Sequence, residues 1–181
     1  MSRLVWFGVL LMTATTVAIG LTGCSFLEAK PVPAPASTAE ATSAECLVGN
    51  WHQSEGWQRL NIDTDTPMEI RLISGGRDLT IAANGTATMV YTTPAVWHGD
   101  NGPDELSATF SGSSTLTYNA KDGAWSEVAD NTKVVTVTTL NETKDPPRNG
   151  SAGRTFEAKY RCSSTDLVIA ADDYRQVFKR A

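Results

Sequence analysis

Residues 78–92 read DLTIAANGTATMVYT. In the first half Leu79 and Ile81 alternate with Thr80, and in the second Ala87, Met89 and Tyr91 alternate with Thr88 and Val90. Asn84-Gly85 stands between the two runs. Both residues tolerate positive φ, and such a pair flanked by alternating runs is the strongest short-range hairpin signal. The stretch therefore predicts an antiparallel hairpin whose side chains follow a period of two.

The same texture runs outward in both directions. Further short runs rich in Val, Thr, Ile, Leu and aromatics cover 47–54, 69–73, 106–110, 115–119, 124–128, 133–140, 154–162, 166–170 and 174–179. Gly, Asn and Asp separate them, with Lys121-Asp122-Gly123 marking another tight turn. No apolar stripe of period 3.6 is long enough for a helix of a dozen residues. The class expected is all-β and antiparallel, as a closed barrel or, alternatively, a two-sheet sandwich. Three segments read as irregular: 58–77, longer than a simple first turn requires; 96–105 (VWHGDNGPDE), a loop presenting Trp97; and 141–153 (NETKDPPRNGSAG), a surface loop lacking large apolar residues.

The beginning of the chain differs. Arg3 precedes an uncharged apolar run, LVWFGVLLMTATTVAI at 4–19, slightly short for a stable membrane span. Leu21-Thr22-Gly23-Cys24 follows, and LTGC resembles the lipobox of bacterial lipoproteins. That resemblance covers residues 1–24 only. It implies a signal peptide at 1–23, cleavage before Cys24, a diacylglyceryl thioether on that cysteine and further acylation such as palmitate. The partner so implied is a membrane, reached through lipid on Cys24, with the protein on the extracytoplasmic face. Two or more acyl chains make such anchoring durable, each buried methylene contributing about 0.8 kcal/mol. Behind the anchor, 28–45 (EAKPVPAPASTAEATSAE) is too poor in large apolar residues to form a core, and its prolines favour an extended spacer. The organisation expected is a leader at 1–23, an anchor and linker at 24–45, and one domain at 46–181.

Charge and cysteines narrow the function classes. The whole chain carries 15 basic and 20 acidic residues, and loss of the leader removes only Arg3, leaving 14 against 20 and a formal charge of −6. An acidic surface gains nothing from phosphate backbones, so no nucleic-acid partner is expected. With Cys24 lipidated, Cys46 and Cys162 remain, and an even pair in an exported protein reads as a disulfide.

Gly49-Asn50-Trp51 opens the first predicted strand, and Gly-x-Trp at that position resembles lipocalins and related calycin-type barrels. The wider order is similar to small lipocalin-like domains of bacterial lipoproteins: Cys46 ahead of the Gly-x-Trp, an Asn-Gly hairpin with Thr86, then Tyr160-Arg161-Cys162 and Asp166-Leu167-Val168-Ile169. The resemblance implies a tryptophan plugging the closed end beneath a cation from the last strand. Alternation without register does not choose between Lys179 and Arg180 for that cation; the plug expected is Gly49, Trp51 and Arg180. An up-and-down barrel would also bring its first strand beside its last, so a Cys46–Cys162 disulfide would fasten that seam.

Catalytic chemistry finds little support. His52 and His98 are the only histidines, there is no Gly-x-Ser-x-Gly elbow, and no nucleophile and base are paired by spacing. Two histidines do not make a zinc site, and Asp63, Asp65, Asp100, Asp104, Glu105, Asp172 and Asp173 do not follow calcium-loop spacing. No catalytic residue, metal or cofactor is expected. The leading expectation is a binding module whose interior accepts a small apolar ligand, with Leu79, Ile81, Met89, Tyr91, Phe110, Val135, Val137, Phe156 and Tyr160 as wall or core. The same side chains would also serve to fill the interior completely. The other functional class is an interaction or envelope-structure module, meeting an envelope protein partner through loops 96–105 and 141–153, with Trp97 as aromatic anchor.

Overall fold

The structure, a computed structural model, describes residues 44–60 and 67–181. The leader, Cys24, nearly all of the linker and the pair Asp63 and Asp65 lie outside the described residues. A 3₁₀ turn, Ala44–Leu47, leads into twelve strands. These are β1 (Gly49–Leu60), β2 (Met68–Ser74), β3 (Asp78–Ile81), β4 (Thr86–Asn101), β5 (Asp104–Lys121), β6 (Ala124–Thr132), β7 (Val135–Leu140), β8 (Thr143–Lys144), β9 (Arg148–Asn149), β10 (Thr155–Cys162), β11 (Asp166–Ala171) and β12 (Tyr174–Arg180). The described chain is thus all-β, and every pairing is antiparallel.

Most pairings join strands adjacent in sequence. β2 and β3 act as two halves of one bent strand: Trp57–Leu60 of β1 face β2, Gly49–His52 face β3, and β4 meets both halves from the other side. In the same way β6 and β7 lie along successive halves of β5. The pairings can be followed from β1 through β12, β11, β10, β6, β5, β4 and β3 back to β1, a ring of strands of uneven length.

The tight turns follow local chemistry. At Asp122-Gly123 both residues have positive φ (50° and 81°), as a two-residue turn between β5 and β6 requires. The Asn84-Gly85 turn is built differently. Only Gly85 is left-handed (φ 83°), and Asn84 contributes through its side chain, Oδ1 accepting from the Thr86 amide at 3.1 Å and the Thr86 hydroxyl at 2.7 Å.

The expected loop at 96–105 is instead strand and turn. Pro94 cannot donate to a ladder, and it makes the sequence look broken there. β4 absorbs it in a bulge: from Tyr91, opposite Gly112, to Ala95, opposite Phe110, β4 advances four residues while β5 advances two. Alternation therefore keeps its phase, the strand runs on to Asn101, and only Gly102-Pro103 turn the chain. Trp97 is consequently buried, not presented to solvent. The 141–153 segment is largely exposed but carries β8 and β9, which pair with β7.

Two apolar clusters fill the inner face. One gathers Leu47, Trp51, Leu79, Ile81, Met89, Leu116, Trp125, Tyr160, Leu167, Ile169 and Phe178, and the other Met68, Ile70, Ala95, Trp97, Leu106 and Ala108. Tyr91 and Phe110 pack against both. Val135 and Val137 belong to neither cluster. Register places Thr136 opposite Phe110 and Thr138 opposite Ala108, so a period of two turns the two valines to the other face.

Candidate functional site

Several expected site residues meet at one end of the sheet. Arg180 lies over the Trp51 ring, its guanidinium carbon 4.1 Å from the centroid, and the Trp51 indole donates to the Leu47 carbonyl at 2.7 Å. Arg180 also donates to the carbonyls of Val48 (3.0 Å), Cys46 (2.9 Å) and Ser164 (3.0 Å), tying the last strand to the turn before the first. Gly49 leaves room for this: a Cβ there would fall 2.2 Å from Arg180 Nη1. Lys179 points elsewhere, to Asp166.

Cys46 and Cys162 form a disulfide with Cα atoms 6.0 Å apart. It does not fasten a seam between first and last strands, because Cys162 ends β10 whereas the neighbour of β1 is β12. Backbone and side-chain bonds join β1 to β12 directly. The disulfide instead pins the 3₁₀ turn, and with it fully buried Leu47, to a strand on the far side of β11 and β12.

Between the two apolar clusters lies a cavity of about 260 Å³. Its walls are Gln58 from β1, Arg77 from the β2–β3 link, Tyr91 and Trp97 from β4, Phe110 from β5, Glu127 from β6, Phe156 from β10, and Tyr174 and Gln176 from β12. Phe110 stacks against Tyr91 (6.2 Å) and meets Trp97 edge-on (6.3 Å), while Phe156 and Tyr174 form a second edge-on pair at 5.0 Å. Gly56 opposite Trp97 has no side chain, and a Cβ there would lie 2.5 Å from the indole. Of the residues expected to form walls, Tyr91, Phe110 and Phe156 line this space, whereas Leu79, Ile81, Met89 and Tyr160 belong to the packed cluster.

Arg77, a residue that alternation alone did not single out, is the cation of this site. Its Nη2 donates to the Tyr174 hydroxyl at 2.9 Å and to Gln176 Oε1, its Nη1 meets Met89 Sδ at 2.7 Å, and its guanidinium carbon is 5.5 Å from the Phe178 ring centroid. Burial by itself would depress its pKa. Its acidic neighbours Tyr174, Tyr91 and Glu127 nevertheless outweigh burial and raise it, Glu127 being the one that is ionised at neutral pH, so the group stays charged. Burial likewise pushes the Tyr91 and Tyr174 phenols upward despite the nearby guanidinium, leaving both neutral. Across the cavity Glu127 accepts from the Trp125 indole at 3.0 Å. A signal for Arg77 existed in Gly75-Gly76-Arg77-Asp78, since a charge one residue before Asp78 shares the phase of Leu79 and Ile81.

The two histidines stay apart from this cavity. His52 Nδ1 is 2.7 Å from Asp78 Oδ1 on the outer side, and His98 Nδ1 is 3.7 Å from Glu105. Among the described residues no group of three His, Cys, Asp or Glu side chains is placed to hold a metal ion. Compared with known proteins, the chain matches no family model, no curated protein and no solved structure.

Proposed function

We propose that this chain is an exported lipoprotein, anchored to the cell membrane by lipid on Cys24, whose strands close into a lipocalin-like barrel that holds a small, largely apolar molecule. The observation that carries the binding reading is the cavity of about 260 Å³ with an aromatic wall, between two packed clusters on the inner face. That volume sits just below the roughly 300–1,000 Å³ of drug-sized ligand sites, so the occupant is small. Closure is supported by the return of the pairings to β1 and by a cavity whose walls come from strands all around that ring. A two-sheet sandwich, the other architecture, would place the same residues between two sheets with unpaired edges.

The envelope-partner reading has lost its aromatic anchor, because Trp97 is 3% exposed. Mass spectrometry tests both parts of the proposal. The mature protein should begin at a lipidated Cys24; an unmodified cysteine, or a chain starting at Met1, removes the anchor. Native spectra should show uptake of a neutral naphthalene-sized compound, and failure to bind any such compound overturns the ligand reading.

A further inference from the structure

An asparagine followed by glycine is chemically labile. The glycine amide nitrogen attacks the side-chain carbonyl carbon of the asparagine, a C–N bond forms, and ammonia leaves with the proton that the amide gives up. Water then opens the cyclic imide at either carbonyl, giving aspartate or isoaspartate. Glycine favours closure because it has no Cβ to restrict the backbone. The reaction consumes only water, but it requires an amide N–H without a competing acceptor and a side chain free to swing toward it. The sequence holds three such pairs, Asn84-Gly85, Asn101-Gly102 and Asn149-Gly150.

The fold ties down two of them. Asn149 lies in β9 opposite Val135, and the Gly150 amide donates to the Val134 carbonyl at 2.8 Å. At the β3–β4 turn, Asn84 Oδ1 is held by both the amide and the hydroxyl of Thr86, and the Gly85 amide donates to the Ala82 carbonyl at 3.4 Å.

Asn101-Gly102 has neither restraint. β4 and β5 close with the pair Asn101–Asp104, so Gly102 and Pro103 are the two central residues of the hairpin, and Gly102 takes a φ of 65°. An amide at that position has no partner in the ladder. Among the described residues no hydrogen bond engages the Gly102 amide or the Asn101 side chain, and both residues are exposed. The space is open as well: apart from its chain neighbours, no atom lies within 4 Å of where a Gly102 Cβ would stand.

We propose that Asn101 is a site of spontaneous deamidation in the folded protein, converting to aspartate and isoaspartate while Asn84 and Asn149 persist. The product carries a new negative charge beside Asp100, Asp104 and Glu105. Isoaspartate also routes the main chain through the side-chain carbon, lengthening β4 by one atom at the residue that pairs with Asp104. Asp104 accepts from Asn141 Nδ2 at 2.7 Å and Asn141 Oδ1 accepts from the Glu105 amide at 2.8 Å, so the altered turn is the one that holds the start of the 141–153 segment. The inference stands apart from the ligand reading.

The experiment ages the folded mature protein at mildly alkaline pH and follows each Asn-Gly pair by peptide mass mapping. Isoaspartate is counted by enzymatic methyl transfer from S-adenosylmethionine. A parallel sample is aged in denaturing urea, where the fold no longer distinguishes the three pairs. In the folded protein Asn101 should convert at least about tenfold faster than Asn84 or Asn149, the factor that one retained hydrogen bond adds to a barrier. In urea the three should convert at similar rates. Asn101→Gln should remove the product from the folded sample. Equal rates at the three pairs in the folded protein, faster conversion at Asn84 or Asn149, or no conversion at Asn101 overturns the proposal. The same preference for Asn101 in urea overturns it too, since the selection would then be local sequence and not the fold.

Discussion

The Arg180 guanidinium carbon rests 4.1 Å from the centroid of the Trp51 ring, and the same group donates to three backbone carbonyls. One side chain thus covers the buried tryptophan and ties the start of β1 to the end of β12. Only an arginine has a planar fork suited to stacking and to several carbonyls at once.

Arg180→Lys should therefore be a costly exchange, lowering stability to denaturant by about 1–2 kcal/mol. Gly49→Ala should cost a similar amount, from its φ of 141° and from the overlap with Arg180. The two are coupled. In an Arg180→Ala background the overlap is gone and only backbone strain remains, so Gly49→Ala should cost less there, by at least about 0.5 kcal/mol in a double-mutant cycle. Strict additivity would show that the glycine does not serve the arginine.

Replacing both Cys46 and Cys162 with Ser should lower unfolding free energy by about 2–5 kcal/mol, since the disulfide closes a loop of 116 residues. Because it pins the 3₁₀ turn and not the β1–β12 pairing, hydrogen exchange should quicken first around Leu47 and Trp51. Amides linking β1 to β12 should keep most of their protection. Loss of protection along β12 ahead of the turn would contradict this placement.

At the β3–β4 turn, Asn84→Gly separates two kinds of hairpin. A turn that needed positive φ at Asn84 would be indifferent to glycine or gain from it. Here the residue works through its side-chain oxygen on Thr86, so the change should cost about 1 kcal/mol in thermal or chemical unfolding. Gly85→Ala should cost about as much through its left-handed backbone.

Asp78 supplies a pH dependence. Its carboxyl is held below the usual aspartate range by hydrogen bonds from Thr92 and His52. A carboxyl whose folded pKa lies below its unfolded value stabilises the fold above that unfolded value, near 4, and the contribution is lost as pH falls through the folded pKa. Asp78→Asn should accordingly lower stability between pH 6 and 8, where the contribution is fully present, and flatten the acid limb, so that variant and wild type converge well below pH 4. The side chain is 45% exposed, so screening holds the effect under about 1 kcal/mol. An unchanged acid limb in a denaturant series would show that these bonds contribute nothing.

The sequence by itself determined the all-β class, because a side-chain period of two can be read residue by residue and the Asp-Gly and Asn-Gly turns are local chemistry. It marked Leu79, Ile81, Met89 and Tyr160 as interior for the same reason. At Pro94 alternation alone does not place Trp97, since a bulge restores phase only through the strand opposite, and the side chain is buried where the sequence points to an exposed loop. Alternation with threonine points Val135 and Val137 inward, yet register with Phe110 and Ala108 puts Thr136 and Thr138 on that face instead. The cavity was out of reach altogether: Arg77, Glu127, Tyr174 and Trp97 come from four separate places in the chain, and their meeting depends on long-range pairing that no local pattern encodes. What tertiary structure alone decided is that Arg77 reaches Tyr174 and Gln176 about a hundred residues further on and that Trp97 is enclosed, because burial and long-range partners are properties of the packed interior.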